Sequence, residues 1–171
     1  VPAGKTIYFQ KQMAHHLIDD VPRDWLDQVT NCFLIRDPAA MLTSLLKHVP
    51  DARLPDTGLP QQAEIFRRVR ASTGKTPPVI DSRDVLENPR GVLSKLCAAL
   101  EVPFDDAMLH WPPGPRSTDG AWAPYWYKEV EQTTGFQPYR AKEERVPPEL
   151  EGLLEECQPY YREMAAERII A

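Results

Sequence analysis

The sequence predicts an α/β fold with a parallel sheet in a single domain, because short apolar or β-branched runs alternate with helical patterns. The predicted strands cover residues 6–12, 31–36 and 77–81. The predicted helices cover residues 22–29, 38–48, 59–72, 89–100 and 147–170. Strands separated by helices pair in parallel, since the chain must cross back over the sheet between them. With 171 residues, the chain has the length of one domain or most of one.

The first two elements are predicted from local composition. Residues 6–10 read Thr-Ile-Tyr-Phe-Gln, and such β-branched and aromatic residues favour a strand. Residues 22–29 place Trp25, Leu26 and Val29 on one face, which indicates a short helix or turn.

The next strand and helix carry the most informative residues of the chain. An apolar run over residues 32–35 is typical of a buried strand, and the charge of Arg36 ends it. Asp37 is a good N-cap and Pro38 a good first helical residue. Arg36 is therefore expected at the carboxyl end of the strand, with Ser44 about two turns into the helix. Ligands of open α/β sheets bind at that edge, and a guanidinium there suits a phosphate.

The remaining helices are predicted from apolar spacing and from their ends. Residues 59–72 have apolar side chains at helical intervals, and Gly74 is the expected C-cap. Residues 89–100 begin at an Asn-Pro pair, which starts helices. The segment 147–170 is amphipathic, and Pro159 is expected to kink or split it.

Composition narrows the class of protein. The net charge of −5 argues against a general nucleic-acid binder, and no apolar run approaches the roughly 20 residues of a membrane span. Cys32 and Cys97 lie in apolar patterns, and Cys157 is far from both. Buried thiols in a reducing compartment are therefore expected, which favours a cytoplasmic location. No Cys or His spacing is typical of a zinc site, so no metal is expected.

Residues 31–47 resemble the 3′-phosphate-binding segment of the sulfotransferases that use 3′-phosphoadenosine 5′-phosphosulfate (PAPS). In that family an apolar strand precedes Arg-Asp/Asn-Pro, and a Ser follows the Arg by eight residues. Arg36 and Ser44 keep that spacing. The resemblance implies that both bind the 3′-phosphate of PAPS or of its product adenosine 3′,5′-bisphosphate (PAP), without a metal.

Three further segments resemble the same family and occur in the same order. Residues 79–109 resemble its strand, acidic turn, Asn-Pro and helix ending in Leu-Gly-Val-Pro-Phe, although Glu101 stands where the family often has Gly. The stretch from Arg116 to Trp122 resembles a late basic loop before Gly-x-Trp, which implies that Arg116 also reaches the 3′-phosphate. Residues 7–16 resemble the strand that delivers the catalytic base, in the form found in a bacterial sulfotransferase-like branch.

The resemblance implies a three-layer sandwich of the P-loop NTPase type with a helical C-terminal part. The family's 5′-phosphosulfate loop, a Ser/Thr-rich turn of the first strand–helix unit, has no counterpart in the sequence. That N-terminal βα unit would precede Val1. The chain is therefore expected to be the carboxyl-terminal part of a sulfotransferase-like domain.

Catalytic residues are implied at Lys11, His15 and His16. Lys11 matches the Lys of the family's Lys-Thr-His segment, whereas its His falls on Met13. The histidine pair is then the expected source of the base, since His titrates near neutral pH. In a strand the two rings would point to opposite faces, so only one could serve, and His15 is favoured. The alternative is that one ring packs in the core and the other is solvated.

Five aromatic side chains surround the Arg116 segment. They are Trp111, Trp122, Tyr125, Trp126 and Tyr127. They could line a pocket for adenine or for the acceptor, or they could form a small core beneath a loop.

Two other functions fit parts of the sequence. Gly4-Lys5-Thr6 matches the end of a Walker A loop and would suit a P-loop nucleotide kinase, but a strand rather than a helix is predicted after Thr6. The missing phosphosulfate loop would suit a degenerate, non-catalytic nucleotide-binding domain.

The expected acceptor is a small-molecule hydroxyl or amine, which the sequence does not narrow further. A homodimer stays open.

Overall fold

The computed structural model describes residues 3–18, 20–141 and 145–171. Two short parallel strands form its sheet, β1 (Phe33–Ile35) and β2 (Val79–Asp81). The register pairs Phe33 with Val79 and Ile35 with Asp81, so both strands end at the same edge of the sheet. The predicted parallel pairing is confirmed.

The last residues of the chain run along the other side of β2. Arg168 forms a parallel bridge with Val79, and the Ile169 N–H donates to the Val79 carbonyl at 2.8 Å. The C-terminal segment therefore contributes a third, very short parallel stretch beside the first residue of β2.

Six α-helices lie in the described part of the chain. They are α1 (Pro38–Leu45), α2 (Leu59–Thr73), α3 (Ser82–Glu87), α4 (Pro89–Ala99), α5 (Ala123–Trp126) and α6 (Glu151–Ala165). The helices predicted over 38–48, 59–72 and 89–100 are confirmed with small differences at their ends. Helix α3 replaces an expected acidic turn. Among these helices, none has the length and apolar character needed to cross a membrane.

Side-chain caps explain where the helices begin and end. The Asp37 carboxylate accepts a hydrogen bond from the Ala40 N–H at 3.0 Å and caps α1, as the sequence predicted. The carboxylate of Asp81, the last residue of β2, caps α3 in the same way. Gly74 ends α2 with a φ of 68°, a left-handed conformation that favours glycine.

The main core lies on one face of the sheet. Its buried members come from both strands, α2, α6 and the N-terminal segments: Leu17, Leu26, Phe33, Ile35, Ile65, Phe66, Val69, Val79, Met164 and Ala165. A smaller cluster of Leu42, Leu59 and Cys157 joins α1, α2 and α6. Helix α6 therefore packs on both the sheet and α1, which fixes the carboxyl edge of the sheet.

The other face of the sheet is covered less completely. Leu34 is 57% exposed, and its carbonyl accepts a hydrogen bond from Gln62 Nε2 at 2.9 Å. The arrangement is α/β with a small parallel sheet. The expected three-layer sandwich is not confirmed.

The strand predicted over residues 6–12 is wrong. This segment has no regular structure, and Ile7, Tyr8 and Phe9 are 51%, 68% and 77% exposed. Strand-forming residues need a neighbouring strand to pair with, and within the described residues this segment has none. The local preference is therefore not realised.

Two smaller expectations are also wrong, namely a split of α6 at Pro159 and a buried Cys32. Helix α6 continues through Pro159, because the buried Cys157 and Met164 hold the helix against the core on both sides of the proline. A kink at Pro159 stays a prediction. Cys32 is exposed, because it precedes the strand on the same side as Leu34 and the core begins only at Phe33. Cys97 is buried as expected.

Candidate functional site

A cleft of about 960 Å³ opens at the carboxyl edge of the two parallel strands. It is lined by the ends of both strands, the start of α1, helix α3 and more distant segments of the chain. Its polar lining side chains are Arg36, Asp37, Asp81, Arg83, Asp84, Glu87, Tyr139, Arg140, Tyr161 and Arg168. Four arginines and four carboxylates therefore share one cleft, and their pairing decides which charges are left for a ligand.

Two of these arginines are neutralised by neighbours. Arg83 Nε lies 2.7 Å from Glu87 Oε1, four residues along the same helix. Arg168 Nε lies 2.9 Å from Asp84 Oδ2 and joins the C-terminal segment to α3. The Arg83 guanidinium also stacks 5.0 Å from the ring centre of Tyr139. These contacts build the walls of the cleft.

The other two arginines are Arg36 and Arg140. Both are exposed in the cleft, and neither makes a hydrogen bond or ion pair to another described residue. Arg36 directly follows β1 and precedes the Asp37 cap, so the strand end and the start of α1 fix its backbone on both sides. The cleft thus offers two guanidinium groups whose donors are open to an anion.

The floor of the cleft is a buried carboxylate. Asp81 is 3% exposed, and it accepts hydrogen bonds from the Tyr161 hydroxyl at 2.8 Å and from the Arg83 N–H at 2.7 Å. Burial, together with the adjacent Asp81 carboxylate, raises the pKa of Tyr161 well above its ordinary value. Tyr161 therefore stays protonated and ties α6 to the end of β2.

Two of the expected phosphate ligands lie elsewhere. Ser44 is half-buried in the last turn of α1 and is not among the residues that line the cleft. Arg116 lines a second cavity, formed by the loops around residues 107–119 and 127–131. The structure therefore does not bring Arg36 and Arg116 into one cavity.

The expected catalytic residues lie outside both cavities. Lys11 is exposed in the irregular N-terminal segment. His15 and His16 form a single 3₁₀ turn, so they do not point to opposite faces of a strand, and their ring centres are 4.4 Å apart. Partial burial and the neighbouring His16 lower the pKa of His15, with a smaller opposite effect from Asp56. His15 is therefore neutral at neutral pH.

Of the cleft residues, sequence reasoning named only Arg36 as a ligand-binding residue, and among those it missed are Arg140, Tyr161 and Arg168. Each comes from a segment far along the chain from Arg36, and none belongs to a recognisable motif. For Tyr161 the one available indication was the amphipathic pattern of α6, which predicts that one face of this helix packs inward. Within the described residues, no group of three or more His, Cys, Asp or Glu side chains could hold a metal ion.

Comparisons with known proteins identify the family. A family model described as a sulfotransferase domain matches residues 2–168. The chain therefore belongs to the sulfotransferase domain family, which confirms the family that residues 31–47 resemble.

Two plant proteins and one solved structure are similar to the chain. Branched-chain-amino-acid aminotransferase-like protein 2 of Arabidopsis thaliana is 31% identical over 160 residues, which are 94% of this chain and 28% of that protein. Its relative, protein 1, is 32% identical over 158 residues, which are 92% of this chain and 28% of that protein. The chain thus spans little more than a quarter of these relatives. The solved sulfotransferase domain from the curacin biosynthetic pathway is 20% identical, with a TM-score of 0.41 over 82% of this chain and 54% of that chain.

Proposed function

We propose that this chain is the part of a PAPS-dependent sulfotransferase that binds the 3′-phosphate of the donor, in the cleft at the end of β1. Family membership supports the reaction class. The observation that carries the proposal is Arg36, which lines the cleft at the carboxyl end of a parallel strand and has no partner among the described residues. A phosphate there would receive two parallel hydrogen bonds from one guanidinium.

Arg140 is proposed as the second cation of this site. It lines the same cleft and also has no partner in the described part of the chain. A phosphomonoester carries close to two negative charges at neutral pH, so two guanidinium groups match it. The positive end of α1 lies beside Arg36 and adds to the attraction, although Asp37 already occupies the Ala40 N–H.

The reaction would transfer a sulfuryl group to a small-molecule hydroxyl or amine. The S–O bond to the donor phosphate breaks, a bond to the acceptor oxygen or nitrogen forms, and a base takes the acceptor's proton. Neutral His15, with His16 beside it, is the candidate base, and Lys11 is the candidate partner of the leaving phosphate. A metal has no part in this proposal.

Titration calorimetry with PAP and with adenosine 5′-phosphate tests the nucleotide site. Arg36→Ala should weaken PAP binding by about 10- to 100-fold, because a hydrogen bond to a charged group contributes about 1.5–3 kcal/mol. Adenosine 5′-phosphate lacks the 3′-phosphate, so its weaker binding should be unchanged. Arg90→Ala is the matched control, since its guanidinium pairs with Asp106 outside the cleft. Equal PAP affinity for Arg36→Ala and the unsubstituted chain would remove Arg36 from the site.

The same assay separates the two candidates for the second cation. Arg140→Ala should weaken PAP binding, whereas Arg116→Ala should not, because Arg116 lines a different cavity. The reverse result would show that the Arg116 loop, as the family resemblance implies, supplies the ligand in solution.

A second candidate function is nucleotide binding without transfer. It is favoured by the position of Lys11, His15 and His16, none of which lines either cavity. We expect this chain alone to bind PAP weakly and to release no PAP from PAPS in the presence of simple alcohols or amines. Measurable turnover that is lost in His15→Ala would instead support the complete reaction. The nucleotide kinase has less support, because no helix follows Gly4-Lys5-Thr6.

A further inference from the structure

A second cavity of about 590 Å³ lies between two loops of the C-terminal half. It shares no lining residue with the cleft at the end of β1. An antiparallel bridge between His110 and Gly135 holds the loops together, and the Trp111 N–H donates to the Thr134 carbonyl at 3.1 Å. The Gly114 N–H donates to the Glu131 carbonyl at 2.7 Å and forms a further link between the two loops.

Two half-buried aromatic rings form the apolar walls of this cavity. Trp111 Nε1 donates to Thr133 Oγ1 at 3.1 Å. The Trp111 ring also makes an edge-to-face contact with the Phe136 ring, with the ring centres 5.4 Å apart. Tyr127 accepts a hydrogen bond from Trp122 Nε1 at 3.2 Å. Both rings are therefore held in place by contacts outside the cavity and can receive a flat or apolar group without rearrangement.

The cavity also has one cation and one anion that are not used by the fold. Neither the Arg116 guanidinium nor the Glu131 carboxylate has a hydrogen bond or ion pair to another described residue. The carboxylate of Asp119 differs, because it accepts the backbone N–H of Arg116 at 2.8 Å and closes the turn. Opposite charges that line one cavity without pairing to each other leave a place for a ligand with the complementary charges.

We propose that this cavity binds a small amino-acid-like zwitterion with an aromatic or apolar side chain. Its carboxylate would pair with Arg116, its ammonium group with Glu131, and its side chain would lie against Trp111 and Tyr127. A volume of about 590 Å³ is in the range of small-molecule sites. The proposal does not rest on the nucleotide site, because the two cavities are separate.

Three related probes test each charge in turn by calorimetry. L-phenylalanine carries both charges, phenethylamine lacks the carboxylate, and 3-phenylpropanoate lacks the ammonium group. L-phenylalanine should bind most tightly. Arg116→Ala should weaken L-phenylalanine and 3-phenylpropanoate by about tenfold or more and leave phenethylamine unchanged. Glu131→Gln should weaken L-phenylalanine and phenethylamine and leave 3-phenylpropanoate unchanged.

The controls separate this site from the cleft and from misfolding. Arg36→Ala should leave all three affinities unchanged, and circular dichroism should show native spectra for every variant. The proposal is overturned if L-phenylalanine does not bind at millimolar concentration. It is also overturned if phenethylamine binds as tightly as L-phenylalanine, or if Arg116→Ala in a folded protein weakens all three probes equally.

Discussion

Replacing Tyr161 with Phe should destabilise the fold through the buried carboxylate that it contacts. The Tyr161 hydroxyl donates to Asp81 at 2.8 Å, and Asp81 is 3% exposed. The substitution leaves the Arg83 N–H as the remaining donor to that carboxylate. Losing a hydrogen bond to a buried charged group costs about 1.5–3 kcal/mol, so the free energy of unfolding should fall by that amount.

Urea unfolding followed by circular dichroism measures this change. Tyr160→Phe is the matched control, because Tyr160 is the neighbouring residue of the same helix and packs against a different cluster, with no hydrogen bond from its hydroxyl to a described residue. Its effect should be below about 0.5 kcal/mol, as for substitutions that break no buried contact. If the two variants lose the same stability, the contact with Asp81 does not anchor α6 to β2, and the account of the cleft floor is wrong.

Two further predictions concern the segment around His15. Gly58→Ala should destabilise the fold more than Gly74→Ala does. Both glycines have positive φ, so each substitution costs about 1–2 kcal/mol of strain. Only at Gly58 would the new Cβ also lie 3.1 Å from the His15 backbone nitrogen. The lowered pKa of His15 means that its stabilising contribution is full above the unfolded value of about 6.5 and is lost as pH falls through the lowered folded value. Urea unfolding between pH 5 and 8 should therefore show that the free energy of unfolding falls less steeply with acid in His15→Gln than in the unsubstituted chain. An NMR titration of His16→Gln should find the pKa of His15 raised only part of the way to its ordinary value, because burial remains.

The fold elements that could be predicted from the sequence are those whose determinants are local. Asp37 and Gly74 set helix ends through their own side chain or backbone, and both predictions are confirmed. The segment 6–12 has strand-forming residues but lacks a pairing strand in the described part of the chain, which no local pattern can reveal. Pro159 was expected to kink or split the last helix, and tertiary packing keeps that helix unsplit. Local preference therefore failed where long-range contacts decide the structure.

The residues of the candidate site show the same difference between local and long-range determinants. Arg36 could be predicted because a strand, a charge and a helix cap are consecutive in the chain. Arg140 and Arg168 reach the same cleft from positions about a hundred residues or more away, and for Arg168 the bridge to Val79 holds the backbone beside β2. For Arg116 the resemblance implied the 3′-phosphate site beside Arg36, whereas the side chain lines the cavity between the loops of residues 107–119 and 127–131. Its role in solution stays a prediction.

The pairing of charges in the cleft would explain how a chain with a net charge of −5 binds the proposed phosphate. Ion pairs within the walls use two arginines and two carboxylates, whereas Asp37 and Asp81 accept backbone N–H groups at helix starts and keep their charge. What a ligand meets at close range is therefore the open donors of Arg36 and Arg140. Local pairing, rather than net charge, then decides the sign of the ligand.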